Sequence, residues 1–266
     1  FWTVRILFGP IPAAAVLAFT AFCGPLIVYS NELRPYTLDA ACVLCLVGMT
    51  RRVNAGGTRR DAVLWSLTAA VALWASFAAA IAGGALLLYI ALAAMMGKTR
   101  RRTLWIAAPY LVSAGILYAA VIAPARGDGA TMNLMNEYYA YAGAFMPLAP
   151  RPWLVWLTYA APNWFDTPLG WASARGGMTF TLIGAALLAI GAATAFAKRP
   201  GAALALTFPV AAALAASALH LYPFYGRMAL WTAPLAFAVA AAALMGESPR
   251  AIRRLCLVLC ALTLAV

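Results

Sequence analysis

The stretch SNELRPYTLD, residues 30–39, is a short charged and aromatic interruption between two apolar segments. Residues 10–29 before it and residues 40–50 after it contain no charged side chain. Charged side chains are costly at membrane depth and are found there mainly where a pathway or a site needs them. We therefore predict a loop between two membrane helices, with Glu32 and Arg34 as its candidate chemical groups.

The composition of the whole chain supports a membrane environment. Its 266 residues are 65% hydrophobic and only 10% charged, with a mean hydropathy of +0.87, which lies outside the range of soluble globular domains. A formal charge of +12 would suggest nucleic acid as the partner of a soluble protein. Here the basic residues lie in short clusters between apolar segments, as the positive-inside rule predicts. We expect a polytopic membrane protein and no nucleic-acid partner.

Runs of about 20 apolar residues, the length that spans a bilayer, predict an all-α bundle of about nine transmembrane helices. The predicted helices cover residues 10–29, 40–50, 103–123, 178–197, 201–219 and 228–245, with two short helices inside 62–97 and a truncated one from 255. Ser76 and the Gly83-Gly84 pair predict a tight turn inside 62–97. The chain lacks an initiator Met and ends in an apolar segment, so we expect residues 1–266 to be one transmembrane domain that is incomplete at both ends.

Basic residues are distributed unequally between the two sets of loops. One set carries 14 Lys and Arg residues and the other carries 5, and the positive-inside rule places the first set in the cytoplasm. SNELRPY, the long interval 124–177 and HLYPFYGR at 220–227 then face outside together. These loops contain most of the acidic residues and the single histidine: Glu32, Asp128, Glu137, Asp166 and His220, with Asp39 at a helix mouth. The sequence therefore predicts an extracytoplasmic site.

The first candidate group is Glu32, Arg34 and Tyr36, whose side chains share one face of an extended segment because they alternate in sequence. Such a face offers an acid that orients a nucleophile or a metal, together with a guanidinium that binds phosphate. The alternative is a loop that only carries polar residues into the lipid headgroups.

The interval 138–171 contains ten aromatic residues. We interpret it as part of an extracytoplasmic loop with an aromatic belt at the membrane surface, in which residues 152–162 form an interfacial helix. A surface that stacks against sugar rings is the alternative, and Glu137 fits either interpretation.

The segment HLYPFYGR places His220, Tyr222 and Arg227 at the outer mouth between two predicted helices. Arg227 begins a helix, where a cation opposes the helix dipole. An anionic partner such as a phosphate would relieve that conflict, whereas His220 is either structural or a ligand.

The cysteines suggest packing and not a zinc site. Cys42 and Cys45 form a CxxC pair, but no second pair or His cluster completes a set of zinc ligands. The pair also lies on a predicted membrane helix, where a thiol behaves as a small hydrophobic group.

These stretches, in this order, resemble the GT-C class of integral-membrane glycosyltransferases, the group of the protein mannosyltransferases and the aminoarabinose transferases that act on lipid A. The matching pieces are YSNELRPYTLD, LWASFAAAIAGG, AGAFMPLAP and LYPFYGRMALWTAPLAF, and the likeness extends from about residue 2 to 245. The resemblance implies an inverting membrane enzyme, and two Lys against 17 Arg together with much Ala suggest a bacterial protein, and hence the bacterial inner membrane. Such an enzyme moves a sugar from a polyprenyl-phosphate carrier to a lipid, glycan or protein acceptor on the outer face.

The resemblance also implies roles for individual residues. Glu32 matches the second acidic position of the site and is the candidate catalytic residue. Arg34 and Arg227 match basic positions near the carrier phosphate, and His220 falls where some members place a ligand of a divalent metal ion. The predicted substrate-binding set consists of Arg34, Tyr36, Glu137, Tyr222 and Arg227. The loop with the principal catalytic Asp would precede Phe1, so we expect this chain alone to be inactive.

Two other classes of function remain open at this stage. A transporter or flippase of a lipid-linked or anionic solute predicts polar residues and broken helices near the bilayer midplane. Here the charges cluster at the helix mouths instead. A non-catalytic membrane scaffold explains the hydrophobicity but not why the three loops face the same side.

Overall fold

A computed structural model describes residues 1–32, 36–96, 100–126, 129–171 and 177–264, and within these residues the chain is helical and contains no strand. The predicted all-α fold class is confirmed. The helices are α1 (Trp2–Phe8), α2 (Pro10–Phe22), α3 (Gly24–Ser30), α4 (Tyr36–Asn54), α5 (Arg59–Ala75), α6 (Phe77–Met95), α7 (Arg100–Leu117), α8 (Ala123–Arg126), α9 (Gly129–Tyr141), α10 (Pro150–Asp166), α11 (Gly177–Lys198), α12 (Pro200–Ala218), α13 (Ala233–Ala241) and α14 (Arg250–Leu264). A π-helical turn (Tyr118–Ile122) follows α7, and 3₁₀ turns (Gly226–Thr232 and Ala242–Leu244) flank α13.

Several helices have the length and apolarity that a membrane span requires. Among the described residues there are four such segments: Phe77–Met95, Met178–Lys198, Pro200–Ala218 and Gly226–Leu244. Helices α2 and α3 together make a fifth if their pair is one span that bends by 60°. The chain is thus of the membrane class, while the count of nine spans stays a prediction.

The segment 62–97 contains two helices, as predicted, and the break lies at Ser76. The helices are longer than the short pair that we expected, since α6 alone has 19 residues and is long and apolar enough for a full span. Ser76 has an extended backbone, and its hydroxyl accepts a hydrogen bond from the Ala79 N–H at 2.9 Å, which caps α6. The Gly83-Gly84 pair lies inside α6 and not at the turn. A Cβ on Gly83 would lie 2.8 Å from the Tyr110 ring, so this glycine makes room for α7.

The predicted helix 10–29 is two helices in the structure, separated at Cys23. A distant loop packs into this break, because the Cys23 thiol donates to the Pro168 carbonyl at 3.4 Å. Gly170 of the same loop has a φ of 73°, and a Cβ there would lie 2.8 Å from Pro25. The break is therefore a tertiary feature that a local apolar pattern does not reveal.

The long interval 124–177 contains more helix than predicted. Helix α10 covers the expected interfacial helix at 152–162, and Trp156 is the residue that it buries. Helix α9 was not predicted, because GATMNLMNEYYAY mixes polar and apolar residues too evenly to show an apolar face. The position of α10 relative to a membrane stays a prediction.

Helix α13 lies at the centre of the bundle, and all nine of its residues are buried. A helix that is apolar on every side belongs in a core of this kind. The Phe237 ring packs against Phe19 of α2 and Trp171, with centroid distances of 5.4 and 5.7 Å. Gly191 lets α11 approach α13 closely, because a Cβ on Gly191 would overlap the Val239 carbonyl oxygen of α13. Small residues allow such close approach between membrane helices.

The two ends of the bundle carry different side chains. We call one the aromatic end, where the start of α4, the Ser76 break and the loop 219–225 meet; its residues are Tyr29, Tyr36, Phe77, Tyr222 and Trp231. We call the other the ion-pair end; its residues are Arg52, Asp61, Arg199 and Glu247.

Candidate functional site

Arg227 lies over an aromatic ring at the aromatic end. Its Cζ atom is 5.8 Å from the centroid of the Tyr36 ring, a cation–π contact. Tyr36 begins α4, is only 8% exposed, and packs edge-on against Tyr29 at 5.6 Å. Among the described residues, no carboxylate forms an ion pair with Arg227. The site therefore presents a half-buried cation with a ring beneath it and with no carboxylate partner in the part of the chain that the structure describes.

Tyr222 holds the segment that carries Arg227. Its hydroxyl donates to the Met228 carbonyl oxygen and accepts a hydrogen bond from the Trp231 Nε1–H at 3.0 Å. The ring is 2% exposed and stacks on Phe77 at 5.8 Å. Burial raises the pKa of the Tyr222 phenol above its ordinary value, so the hydroxyl remains a neutral donor. The predicted role of Tyr222 in substrate binding stays a prediction, while in the structure its hydroxyl is bonded to the 3₁₀ turn that carries Arg227.

Asp39 is the residue that the sequence analysis left out of the site. It lies on α4 one turn after Tyr36, on the same helix face, and is half-buried. Ser76, at the break between α5 and α6, lies near this carboxylate. The Oδ1 atom is buried and has no hydrogen-bond partner among the described residues. In the sequence, the only indication that Asp39 belongs beside Tyr36 is their separation of three residues. That separation places them on one face only if both lie on a helix, and α4 begins at Tyr36.

Glu32, the candidate catalytic residue, lies four positions before Tyr36, just after the end of α3, and its side chain is exposed. Arg34 lies outside the described residues. Glu137 is exposed on α9. Of the predicted set, the structure therefore brings Tyr36, Tyr222 and Arg227 together, while Glu137 lies on another element.

The predicted outer loops meet at the aromatic end. The Phe224 N–H donates to the Ala144 carbonyl oxygen at 2.9 Å. The Met146 N–H donates to the Ser217 hydroxyl at 3.0 Å. The loop AGAFMPLAP is thus tied to the loop HLYPFYGR, which in turn contacts the start of α4 through Arg227.

His220 lies in this junction. Its backbone has a φ of 56°, and its imidazole stacks on the Phe145 ring with centroids 4.5 Å apart. The described residues contain no group of three or more His, Cys, Asp or Glu side chains placed to hold a metal ion. His220 thus has a ring partner in the structure, and its role as a metal ligand stays a prediction.

An apolar cavity of about 370 Å³ lies between α11, α12 and α13. Trp164 of α10 forms part of its wall, and the Trp164 Nε1–H donates to the Thr232 hydroxyl at 2.8 Å. Thr232 is the last residue of the 3₁₀ turn that carries Arg227. The cavity and the cation are therefore joined by one short element.

No protein family, curated protein or solved structure matches the chain. The function is consequently inferred from the residues at the aromatic end and from the cavity beside them.

Proposed function

We propose that this chain is the membrane core of a GT-C-like glycosyltransferase, which moves a sugar from a polyprenyl-phosphate donor to a lipid, glycan or protein acceptor. The observation that carries the proposal is Arg227, a half-buried guanidinium without a carboxylate partner among the described residues. Guanidinium groups bind phosphate oxygens with two parallel hydrogen bonds. In this proposal Arg227 binds the carrier phosphate, and Arg34 assists from the neighbouring loop.

The apolar cavity supports an amphiphilic donor. Its walls come from three candidate membrane spans and are almost entirely hydrocarbon. A polyprenyl chain in the cavity would place its phosphate toward Thr232 and the 3₁₀ turn. A ligand with an anionic head and an apolar chain fits this pairing better than a water-soluble sugar nucleotide does.

Transfer of a glycosyl group from phosphate requires a base for the acceptor hydroxyl and cationic stabilisation of the departing phosphate. Glu32 is the proposed acid–base or metal-orienting residue, since its side chain is exposed and it lies between the end of α3 and Tyr36. His220 and a divalent metal ion belong to the same proposal. The outer-face position of this end is likewise proposed from the charge distribution, the nine spans from the apolar segments, and the bacterial inner membrane from the excess of Arg over Lys and the high Ala content.

A transporter or flippase of a lipid-linked or anionic solute is the second candidate. The 60° bend between α2 and α3 favours it, because broken helices form the substrate sites of many transporters. Counterflow of a labelled solute in proteoliposomes would support this candidate over transfer.

The proposal is tested by binding of a polyprenyl phosphate to the full chain in lipid nanodiscs. Arg227→Gln should weaken binding roughly 10- to 100-fold, the loss of a charge-assisted hydrogen-bond pair. Arg199→Gln at the ion-pair end is the matched control and should leave binding unchanged. Equal affinity of wild type and Arg227→Gln would overturn the role of Arg227.

A second measurement addresses catalysis itself. In the full-length protein, Glu32→Gln should abolish sugar transfer and preserve binding of the polyprenyl phosphate. Unchanged turnover in this variant would remove Glu32 from the mechanism, whatever the binding result.

A further inference from the structure

Three sulfur-containing side chains form a stripe on α4. Cys42, Cys45 and Met49 follow at intervals of three and four residues, which places them on one helix face. All three are half-buried, and both thiols are outside any disulfide. The Cys45 Sγ atom lies 3.8 Å from the Met49 Sδ atom. The structure thus adds a thioether to the CxxC pair that the sequence suggested.

A cavity of about 210 Å³ adjoins two of these sulfur residues. Its lining consists of Trp2, Cys45, Met49, Arg52, Asp61 and Leu64. Arg52 and Asp61 form an ion pair with a nitrogen–oxygen distance of 3.0 Å, and the Arg52 side chain is about half exposed. The cavity therefore extends from the sulfur atoms to water at the ion-pair end. Such a route is what an ion would need to reach buried ligands.

The distance between the Cys45 and Met49 sulfur atoms suits two ligands of one metal ion. With metal–sulfur distances of about 2.3 Å, two sulfur atoms 3.8 Å apart subtend an angle of about 110° at the metal. This value lies close to the tetrahedral angle and within reach of trigonal coordination. Cys42, one helical turn from Cys45, supplies a third sulfur on the same face.

The ligand set selects the kind of metal. Thiolate and thioether sulfur are soft ligands, which favour Cu(I) over the hard divalent cations. A structural zinc site would need four Cys or His ligands, and the described residues contain no group of three or more side chains of the His, Cys, Asp or Glu type placed for a metal. A monovalent soft ion requires fewer ligands.

We propose that Cys42, Cys45 and Met49 form a binding site for one Cu(I) ion. Binding replaces the two thiol protons, which leave to solvent, and Met49 contributes a lone pair; no group is oxidised or reduced. The occupied site carries one net negative charge and lies beside the Arg52–Asp61 ion pair at the mouth of the cavity. This site is separate from the proposed glycosyltransferase site, since none of its ligands contacts a polyprenyl phosphate in that proposal.

The chain offers its own control for this proposal. Cys256 and Cys260 form a second pair of thiols, four residues apart on α14, and both are buried. Nonspecific binding of copper to thiols would depend on the two pairs alike. Binding at the proposed site on α4 would depend on Cys42 and Cys45 and would not depend on Cys256 and Cys260.

The experiment titrates the purified, reduced full chain with Cu(I) under argon against a colorimetric Cu(I) chelator. Wild type should retain one equivalent, and Cys42→Ser/Cys45→Ser should lose it. Met49→Leu, which conserves volume, should weaken binding roughly tenfold or more, and Cys256→Ser/Cys260→Ser should bind as wild type does.

Three results would overturn the proposal: no retention by wild type, equal loss from the α14 variant, or an unchanged affinity in Met49→Leu. Because Met49→Leu preserves the packing of α4, its result is informative even if the double serine variant folds poorly. Binding of polyprenyl phosphate plays no part in this measurement, so its outcome is independent of the proposed function.

Discussion

The ion-pair end and the aromatic end satisfy their charged groups in different ways. At the ion-pair end, Arg52 pairs with Asp61 at 3.0 Å and Arg199 pairs with Glu247. Asp61 also accepts hydrogen bonds from the Thr58 N–H and hydroxyl at 2.8 and 2.9 Å. These four charged side chains are therefore balanced in pairs.

At the aromatic end the same kinds of group lack such partners among the described residues. Arg227 rests on the Tyr36 ring, and the Asp39 Oδ1 atom is buried without a hydrogen-bond donor. Leaving a buried polar atom unpaired costs on the order of 1 to 3 kcal/mol. Proteins tolerate such costs mainly where a site requires them. Buried polar atoms without a partner also occur near the ion-pair end, at Asn54 Nδ2 and Ser248 Oγ, so the contrast between the two ends lies in the pairing of the charged groups named above.

The largest predicted effect concerns the hydrogen bonds that hold Arg227 in place. Tyr222→Phe leaves the buried Trp231 N–H and the Met228 carbonyl without their shared partner, which should cost roughly 2 to 4 kcal/mol of unfolding free energy. Thermal or denaturant unfolding in detergent measures it. Tyr141→Phe is the control, because Tyr141 is 95% exposed. An equal loss in both variants would mean that Tyr222 has no special role at the aromatic end.

A smaller change of opposite sign is expected at Asp39. Asp39→Asn removes a half-buried charge and keeps the shape of the side chain, so the unfolding free energy should rise by about 1 kcal/mol at neutral pH. The affinity of the same variant for polyprenyl phosphate, compared with that of the wild type, shows whether the Asp39 carboxylate contributes to ligand binding. A less stable Asp39→Asn protein would show that the carboxylate is already satisfied, and the contrast between the ends would weaken.

The smallest effect is a pH dependence at the ion-pair end. Hydrogen bonds from the Thr58 N–H and hydroxyl, followed by the Arg52 charge, hold the pKa of Asp61 below its usual value. A lowered pKa in the folded state stabilises the fold above the unfolded pKa of about 3.9, and this contribution disappears as the pH falls through the folded value. The difference in melting temperature between wild type and Asp61→Asn should therefore shrink from about pH 7 to about pH 3. A constant difference in melting temperature across this pH range would show that the Asp61 charge does not stabilise the fold through Thr58 and Arg52.

Much of the fold followed from local patterns. The helices expected at 178–197 and 201–219 correspond to α11 and α12 within about one residue at each end, because a long apolar run has one low-energy form in a membrane. The two helices inside 62–97 also followed from length and from Ser76. The break at Cys23 did not, because it depends on Pro168 and Gly170, which are distant in sequence.

The candidate site was partly predictable as well. The charge distribution placed the loops with Tyr36, Tyr222 and Arg227 on one side, and contacts between these loops are present in the structure. Asp39 was placed at a helix mouth but not in the predicted site, and the Met49 thioether was not singled out, since the significance of both depends on burial and on which helix face they occupy. The predicted function of each residue remains a matter for the experiments above.

The sequence by itself determined that this is an all-helical membrane chain whose polar groups gather at the helix mouths. Hydrophobicity and charge are sums over residues, and they can be read without knowing which residues touch. Only the tertiary structure decided that the Tyr222 hydroxyl is bonded to the 3₁₀ turn that carries Arg227. It also decided that Asp39 has a buried oxygen without a hydrogen-bond partner among the described residues. Those facts depend on distances between segments far apart in the chain, which packing of the helices around α13 establishes.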